Sequence, residues 1–451
     1  MTNIRARFLQ FKRDLADKAT DKPAAERLER NIRINVYHGV ASILALNMAS
    51  PFVGIFAVKL GASEFQVGLL SSAPALVSLL SMIPGGKFID GKSKKQRTVA
   101  AFILAQKVFY LFMATIPFFT PDKRAWLLVL AATAMNAPAS IANVGWQAFI
   151  SRLVPASKRA AAFASRNRIM NIVGTVVVLL TGRMIDIIGF PIGYQVAFAG
   201  TFLFTLLEIR VFNAIDESTV DLPTMPGAVA STDAPAIPSP ESSEKTGLLQ
   251  LIRRDIAGIV KHGPFIRYTV ASIAFYMSWQ TPWPLFTLYQ TKVLNANNMW
   301  VSLLNLANTS GSLVGYGFWV KKMNKYGNLR TLFMSSVLIF IVPLAYALSK
   351  SLAMVAGFNM LTGAVFSGVN LALFNTLLEV TPEDNKATYI AYYTTAVNAS
   401  AIFAPMIGVG LLNAFGYFWA FMICAAMRFV ASFGFLALSF VEKRIAERDK
   451  A

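Results

Sequence analysis

Residues 352–379, LAMVAGFNMLTGAVFSGVNLALFNTLLE, decide the fold class of this chain. The run carries no charged residue before Glu379, and its small polar residues are scattered among aliphatic and aromatic ones. A helix needs about 20 mainly apolar residues to cross the hydrocarbon core of a bilayer. The run therefore predicts a membrane-spanning helix that ends at Glu379.

The same criterion predicts twelve spans. They cover residues 34–60, 65–88, 98–119, 125–149, 164–186, 192–213, 266–290, 297–320, 331–349, 352–379, 388–413 and 416–440. A polar, proline-containing linker at 214–264 separates the first six from the last six. We therefore predict an all-α membrane protein with twelve transmembrane helices in two pseudo-symmetric six-helix bundles. The predicted parts are a tail (1–33), a first bundle (34–213), the linker (214–264), a second bundle (265–440) and a tail (441–451).

Predicted spans four and ten share a pattern of polar residues, which supports duplication. The pattern is Asn-x3-Ser-x2-Asn in span four and Gly-x3-Ser-x2-Asn in span ten. Its members are Asn136, Ser140, Asn143 and, 227 positions later, Gly363, Ser367 and Asn370. At the same offset Pro155 corresponds to Pro382 and Asn171 to Asn398. Several matches at one offset indicate homologous halves.

The composition excludes an ordinary soluble protein. Hydrophobic residues make up 55% of the 451 residues and charged residues 14%, whereas a globular domain carries about a quarter charged residues. On the predicted topology, 34 of the 42 Lys and Arg residues lie on or near one side. This positive-inside pattern sets orientation, so the net charge of +19 does not indicate a nucleic-acid partner.

The charge pattern also predicts the location of the protein. Both termini are expected in the cytoplasm, and the chain is expected to be a multi-pass protein of the cell membrane, typical of a bacterial cytoplasmic membrane, in contact with lipids. The first 33 residues are polar and lack a cleavable signal pattern. The one cysteine, Cys424, lies within the last predicted span, so no disulfide is expected.

The loop after predicted span two carries the most specific local pattern. It reads Gly86-Lys-Phe-Ile-Asp90-Gly-Lys-Ser-Lys94-Lys95-Gln-Arg97. The equivalent loop after span eight runs from Gly317 to Arg330 and has Lys321 in place of the aspartate. With these two basic loops between the proper spans, the chain resembles the major facilitator superfamily over nearly its whole length. The resemblance implies a transporter that works by alternating access.

The resemblance further implies a conformational latch formed by Gly86, Asp90, Arg97 and Arg152. Asp90 ends an inward-running span, where its charge can face the positive amino-terminal end of a neighbouring helix. Such a cluster is expected to hold the inner sides of the two halves together in the outward-open state. The open alternative is that these residues only anchor the loop at the lipid headgroups.

Polar side chains within the spans predict a substrate site. Because polar groups in hydrocarbon are costly, they face the protein interior or a cavity, and in the resembling family spans one, four, seven and ten line a central cavity. The substrate-binding candidates are Asn47, Asn136, Ser140, Asn143, Tyr276, Trp279, Gln280, Trp283, Ser367 and Asn370. Pro282 and Pro284 are expected to bend span seven. For any one of these polar residues, the alternative is a structural contact between helices.

Few groups are placed to carry a coupling proton, because no Asp or Glu lies near the middle of a predicted span. The proton-coupling candidates are His38, Glu208 and Glu379, near the inner ends of spans one, six and ten. The simpler expectation for both glutamates is a surface position or an ion pair. Lys107 and Arg428 lie mid-span and are expected to snorkel or to pair structurally.

These observations predict a transporter of a small organic solute, with protons as a candidate coupling ion and with no cofactor or metal. An exporter of drug-like or amphipathic compounds is slightly favoured over an importer of a sugar or organic anion. A membrane enzyme is a remote alternative, because the only two histidines, His38 and His262, form no HxxxH pair. A second remote alternative is a sensor that has the same fold but no transport activity. The chain lacks a Walker A pattern, so the sequence gives no support to ATP hydrolysis.

Overall fold

A computed structural model describes residues 24–92, 95–153, 156–216, 258–382 and 386–448. Over these ranges the chain forms helices joined by short turns and contains no strand. The predicted all-α class is confirmed. The amino-terminal tail up to residue 23 and linker residues 217–257 lie outside the described part.

The helices of the first half cover the predicted spans. They are α1 (Ala24–Ala49), α2 (Val53–Lys59), α3 (Glu64–Asp90), α4 (Lys95–Thr115), α5 (Pro121–Ala134), α6 (Asn136–Leu153), α7 (Ala156–Ile188) and α8 (Ile192–Phe212). However, α1 and α7 begin earlier than predicted, at Ala24 and Ala156, and two helices, α5 and α6, together form span four. A 3-10 turn at Ser50–Phe52 joins α1 to α2. Pro121 begins α5, where its missing N–H would have no partner within the helix in any case.

Three helices of the second half begin at a residue whose side chain caps them. The helices of this half are α9 (Gly263–Gln280), α10 (Trp283–Leu288), α11 (Asn298–Tyr326), α12 (Asn328–Val337), α13 (Ile341–Leu348), α14 (Leu352–Val380) and α15 (Lys386–Arg448). His262, Asn297 and Ser351 accept hydrogen bonds from the first-turn amides of α9, α11 and α14. α15 leaves helical geometry at Gly416, whose φ is 70°, between predicted spans eleven and twelve.

Nine stretches of the described chain are long and apolar enough to cross a membrane. They include predicted spans one to six, nine and ten, and the ninth stretch, Thr388–Val441, contains spans eleven and twelve. Span seven is interrupted between Gln280 and Trp283, and α11, which corresponds to span eight, is rich in Asn, Ser and Gly. The chain is therefore a multi-pass helical membrane protein, and the count of twelve remains a prediction.

The first of two compact units contains residues 1–61 and 80–234. In it α1 packs on α7 and α8, and α4 packs on α6 and α8. Its core is aliphatic and aromatic and includes Ile34, Ile89, Val99, Ile103, Phe149, Ile150 and Phe212.

The second unit contains residues 62–79 and 235–451. Here α11 and α14 approach so closely that a Cβ added to Gly311 would overlap the carbonyl of Met360, and one added to Gly363 would overlap the carbonyl of Asn308. Small residues permit such contact between helix backbones in membranes. Gly408 of α15 packs in the same way on the carbonyl of Thr281, just after α9.

Candidate functional site

The break between α9 and α10 is built around two prolines and one arginine. Pro282 and Pro284 lack the N–H groups that would bond to the carbonyls of Ser278 and Gln280 in a continuous helix. The fully buried guanidinium of Arg428 donates to the carbonyl oxygens of Ser278 (3.4 Å) and Trp279 (2.5 Å). A cation at the carboxy-terminal end of a helix also favours its dipole. The helix of span seven is therefore interrupted at the two prolines, and Arg428 stabilises this interruption.

An aromatic cluster lies next to this break, within the second unit. The ring of Trp279 lies 5.4 Å from that of Tyr276 and 5.0 Å from that of Phe366, measured between centroids. Tyr268 and Tyr393 stack at 5.6 Å further along α9. Tilted and stacked rings at these separations attract each other beyond simple burial.

Two polar groups of α9 lie at the end of the cluster. The side chain of Trp279 is 8% exposed, and its indole N–H has no hydrogen-bond partner among the described residues. Gln280 is buried beside it, and its side-chain oxygen accepts from the Ser400 hydroxyl at 3.1 Å. Buried donors without partners are rare in folded proteins, so the Trp279 N–H is available to an acceptor from a bound molecule.

The remaining candidates of the second unit differ in environment. Trp283, which follows the break, is 44% exposed and begins a separate helix, α10. Ser367 is buried, bonds to the Ala364 carbonyl of its own helix and packs against Gly315. Asn370 is exposed. Within this unit, Tyr276, Trp279 and Gln280 are brought together, whereas Ser367 makes a contact between helices.

The candidates of the first unit include two with structural hydrogen bonds. Asn47 donates to the Gly174 carbonyl of α7 at 3.0 Å, and Asn136 donates to the Ala132 carbonyl across the break between α5 and α6 at 2.6 Å. Ser140 is half-buried and Asn143 is exposed. Asn47 and Asn136 thus hold helices and helix ends together.

The proton-coupling candidates fall into two environments. His38 of α1 and Glu208 of α8 are each 3% exposed, and His38 Nε2 lies 3.6 Å from Glu208 Oε1. The Ser42 hydroxyl hydrogen-bonds to Glu208. Glu379 is exposed at the end of α14 and accepts from the Asn328 side-chain amide at 2.5 Å.

Two cations accompany the buried pair. Lys107 of α4, 3% exposed, and Arg166 of α7 both lie within electrostatic range of Glu208. The guanidinium of Arg166 lies 4.5 Å above the Trp146 ring and donates to the Asn35 carbonyl at 3.3 Å. Of the two expectations for Glu208, a surface position or an ion pair, the structure excludes the surface position, because the residue is buried near cations contributed by other helices.

For the mid-span cations the sequence left two expectations open, snorkelling or structural pairing, and the structure agrees with pairing. Arg428 and Lys107 are buried instead of reaching the membrane surface. The sequence indicated a role for Arg428 in one way, because an arginine in the middle of a span needs a partner. It could not identify that partner, because any residue can supply a backbone carbonyl.

The sequence profile described as "Major Facilitator Superfamily" matches residues 39–260 and 268–451 in two consecutive segments. The chain belongs to the major facilitator superfamily. Membership in this superfamily confirms that the chain is a membrane transporter and not an enzyme. None of the curated protein sequences compared with the chain matches it.

Solved structures of the superfamily share the fold at low sequence identity. A point mutant of the nucleoside transporter NupG superposes with a TM-score of 0.62 at 13% identity, over 90% of this chain and 99% of its own. A bacterial homologue of the human lysosomal transporter Spinster, inward-facing and unoccupied, gives 0.58 at 13% identity, over 91% and 98%. Both similarities concern the fold alone.

The superfamily latch predicted at the loop after α3 can be described only in part. Gly86 is buried and Arg97 is exposed. The side chains of Asp90 and Arg152 lie outside the described side chains. The latch therefore remains a prediction.

Proposed function

We propose that this superfamily member carries a small organic solute across the membrane by alternating access and binds it at Tyr276, Trp279 and Gln280. The observation that supports this site is the buried Trp279 N–H without a partner among the described residues, next to aromatic rings and an amide. Ligand sites in proteins typically combine apolar and aromatic walls with a few polar groups that fix orientation. A solute with a flat or apolar face and a hydrogen-bond acceptor fits this chemistry.

The direction of transport that we propose is export of drug-like or amphipathic compounds across the cell membrane of a bacterium, with both termini cytoplasmic. The aromatic walls favour such solutes. Import of a nutrient is the second candidate. Nucleosides are one candidate among such nutrients. A nucleobase offers both a ring and hydrogen-bond acceptors, and NupG, which shares the fold, is a nucleoside transporter.

The remaining sequence candidates keep narrower proposed roles. Asn143, Trp283 and Asn370 are exposed and suit contact with solute during entry or exit. We propose the latch of Gly86, Asp90, Arg97 and Arg152 as the element that stabilises one end state. Protons are the proposed coupling ion, and Glu379, which is exposed, is the weaker of the acidic candidates.

Transport in proteoliposomes tests the proposed site. The protein would be reconstituted and offered labelled nucleosides, sugars, organic anions, amino acids and lipophilic cations, in uptake and counterflow, with and without a pH gradient. If no class moves with correctly inserted protein, the proposed function is overturned.

The variant Trp279→Phe keeps a ring but removes the indole N–H. If a solute accepts this hydrogen bond, its half-saturation concentration is expected to rise roughly 2- to 10-fold, since one hydrogen bond contributes about 0.5–1.5 kcal/mol. Trp319→Phe is the matched control, because the Trp319 N–H already donates to the Ala364 carbonyl at 2.7 Å. An unchanged half-saturation in Trp279→Phe contradicts the site.

A further inference from the structure

We infer that His38 and Glu208 form a reversible proton-binding site inside the first unit, and that this site couples proton movement to transport. The coupling part rests on the proposed function; the proton-binding part does not. The pair is buried between α1 and α8, which pack along each other. Ser42 contributes a hydrogen bond to Glu208 from the same helix as His38.

The charge balance of the cluster allows Glu208 to exist in two states. An unpaired buried carboxylate is too costly to persist, but Lys107 and Arg166 offset the charge of ionised Glu208. When a proton is bound, the carboxyl group is neutral and the cations lose their counter-charge. The site therefore contains the groups needed for both states.

Unused hydrogen-bonding capacity surrounds the pair. Both ring nitrogens of His38, Glu208 Oε2 and both side-chain amide atoms of Asn35 have no hydrogen-bond partner among the described residues. Buried polar groups in folded proteins are normally bonded. A cluster of such atoms around an acid and a base indicates that their partners change as the proton arrives and leaves.

The distance between His38 Nε2 and Glu208 Oε1 is slightly longer than a hydrogen bond, so a small movement would let a proton pass between them. A normal hydrogen bond needs about 2.7–3.2 Å between heavy atoms, and the pair is at 3.6 Å. A shift of roughly half an ångström would close the gap. The proton would then move from the carboxyl oxygen to Nε2, breaking the O–H bond and forming the N–H bond, with no other reactant required.

Each helix packed against the pair contributes a defined group. Lys107 comes from α4, Arg166 from α7, and the Trp146 ring of α6 stacks on His38 at 6.2 Å and lies beneath Arg166. Near the start of α1, Arg30 donates to the Ala214 carbonyl. The cations that act on Glu208 are Lys107 and Arg166.

Nitrogen NMR of the histidines tests proton binding without a known solute. The chain has two histidines, so histidine labelled with ¹⁵N and incorporated into the protein in lipid nanodiscs gives two sets of signals, assigned with His262→Asn. Ring nitrogen shifts distinguish imidazolium, a donating Nε2 and an accepting Nε2. Spectra would be recorded between about pH 5 and pH 8. We expect the His38 signals to change with the protonation of Glu208, and this change to disappear in Glu208→Gln.

A His38 spectrum that is constant over this range in the wild-type protein overturns proton binding at the pair. So does an unchanged titration in Glu208→Gln. The wild-type spectra alone decide whether His38 responds to pH. This result holds even if the Glu208→Gln variant does not fold.

Proteoliposome transport tests the coupling part. In Glu208→Gln we expect counterflow to persist while accumulation driven by a pH gradient is lost. Glu29→Gln, which removes an exposed carboxylate from the same helix as His38, is the matched control and should keep both. Accumulation that persists in Glu208→Gln overturns the coupling role. If no solute moves at all, the proposed function fails and the coupling role with it, while the NMR result stands by itself.

Discussion

At the scale of single residues, Arg428 supplies the Ser278 carbonyl with the donor that Pro282 lacks. Its guanidinium donates to carbonyls of Ser278, Trp279 and Ile339. The three bonds start from three different nitrogens of the planar guanidinium, a spread of donors that the single nitrogen of a lysine does not offer. The position of Trp279 at the end of α9 therefore depends on a side chain far along the sequence.

Replacing Arg428 by methionine is expected to lower the thermal stability of the purified protein. The change leaves buried carbonyls without donors, at about 1–3 kcal/mol for each. Cys424, buried one turn away on α15, should become reactive towards a maleimide, and labelling rate is the second readout. The thermal stability and the labelling rate of Arg428→Lys should lie between those of the wild type and of Arg428→Met. Arg330→Met, which removes an exposed arginine, should resemble the wild type. A methionine variant with wild-type stability and an unreactive Cys424 contradicts this role.

The sequence located His38, Glu208 and Arg428 individually but could not pair them. Helical periodicity gives the face of a residue on its own helix, whereas a contact between α1 and α8 depends on how far each helix is rotated and shifted. For the same reason Asn47, Asn136 and Trp279 looked equivalent as candidates. The structure separates them, because the first two donate to backbone carbonyls and the Trp279 N–H has no partner among the described residues.

At the scale of helices, α11 and α14 pack backbone against backbone in the second unit. Gly363 occupies the position that Asn136 holds in the predicted repeat, and the structure gives the reason for the difference. Gly363 meets the backbone of Asn308, so any side chain there would separate the helices. Comparison of the two halves identifies position 363 as equivalent to Asn136. The requirement for glycine there comes from the backbone of Asn308 on the neighbouring helix, which the comparison does not show.

A matched pair of alanine substitutions on α11 tests this contact. Gly311→Ala is expected to destabilise the protein by about 1–3 kcal/mol, because its Cβ would meet the backbone of Met360. Gly317→Ala on the same helix meets no atom and should be neutral or stabilising by up to about 1 kcal/mol through helix propensity. Thermal unfolding in detergent measures both. Equal effects of the two substitutions would rule out the close contact.

At the scale of the whole molecule, the distribution of Lys and Arg predicts the membrane orientation. The nine described stretches agree with the predicted spans where the chain is uniformly apolar. Prediction is weakest for spans seven and eight, where prolines, Asn and Ser interrupt the apolar run. These interruptions lie at the break next to Trp279 and at the glycine contact of α11. The two spans that are hardest to predict therefore contain the proposed substrate site and the closest helix contact.

Cysteine labelling in intact cells tests the orientation. In a Cys424→Ala background, Lys123→Cys and Lys350→Cys are expected to react with a membrane-impermeant maleimide, because both positions are exposed and predicted outside. Gly91→Cys and Lys325→Cys, also exposed, should react only after the cells are permeabilised. Labelling of the second pair in intact cells would reverse the predicted orientation.

The glycine contacts between α11 and α14 have a mechanical consequence. Side chains at an interface change rotamers and absorb small displacements, but two backbones in direct contact have no such compliance. We therefore expect α11 and α14 to move together when either helix is displaced during transport.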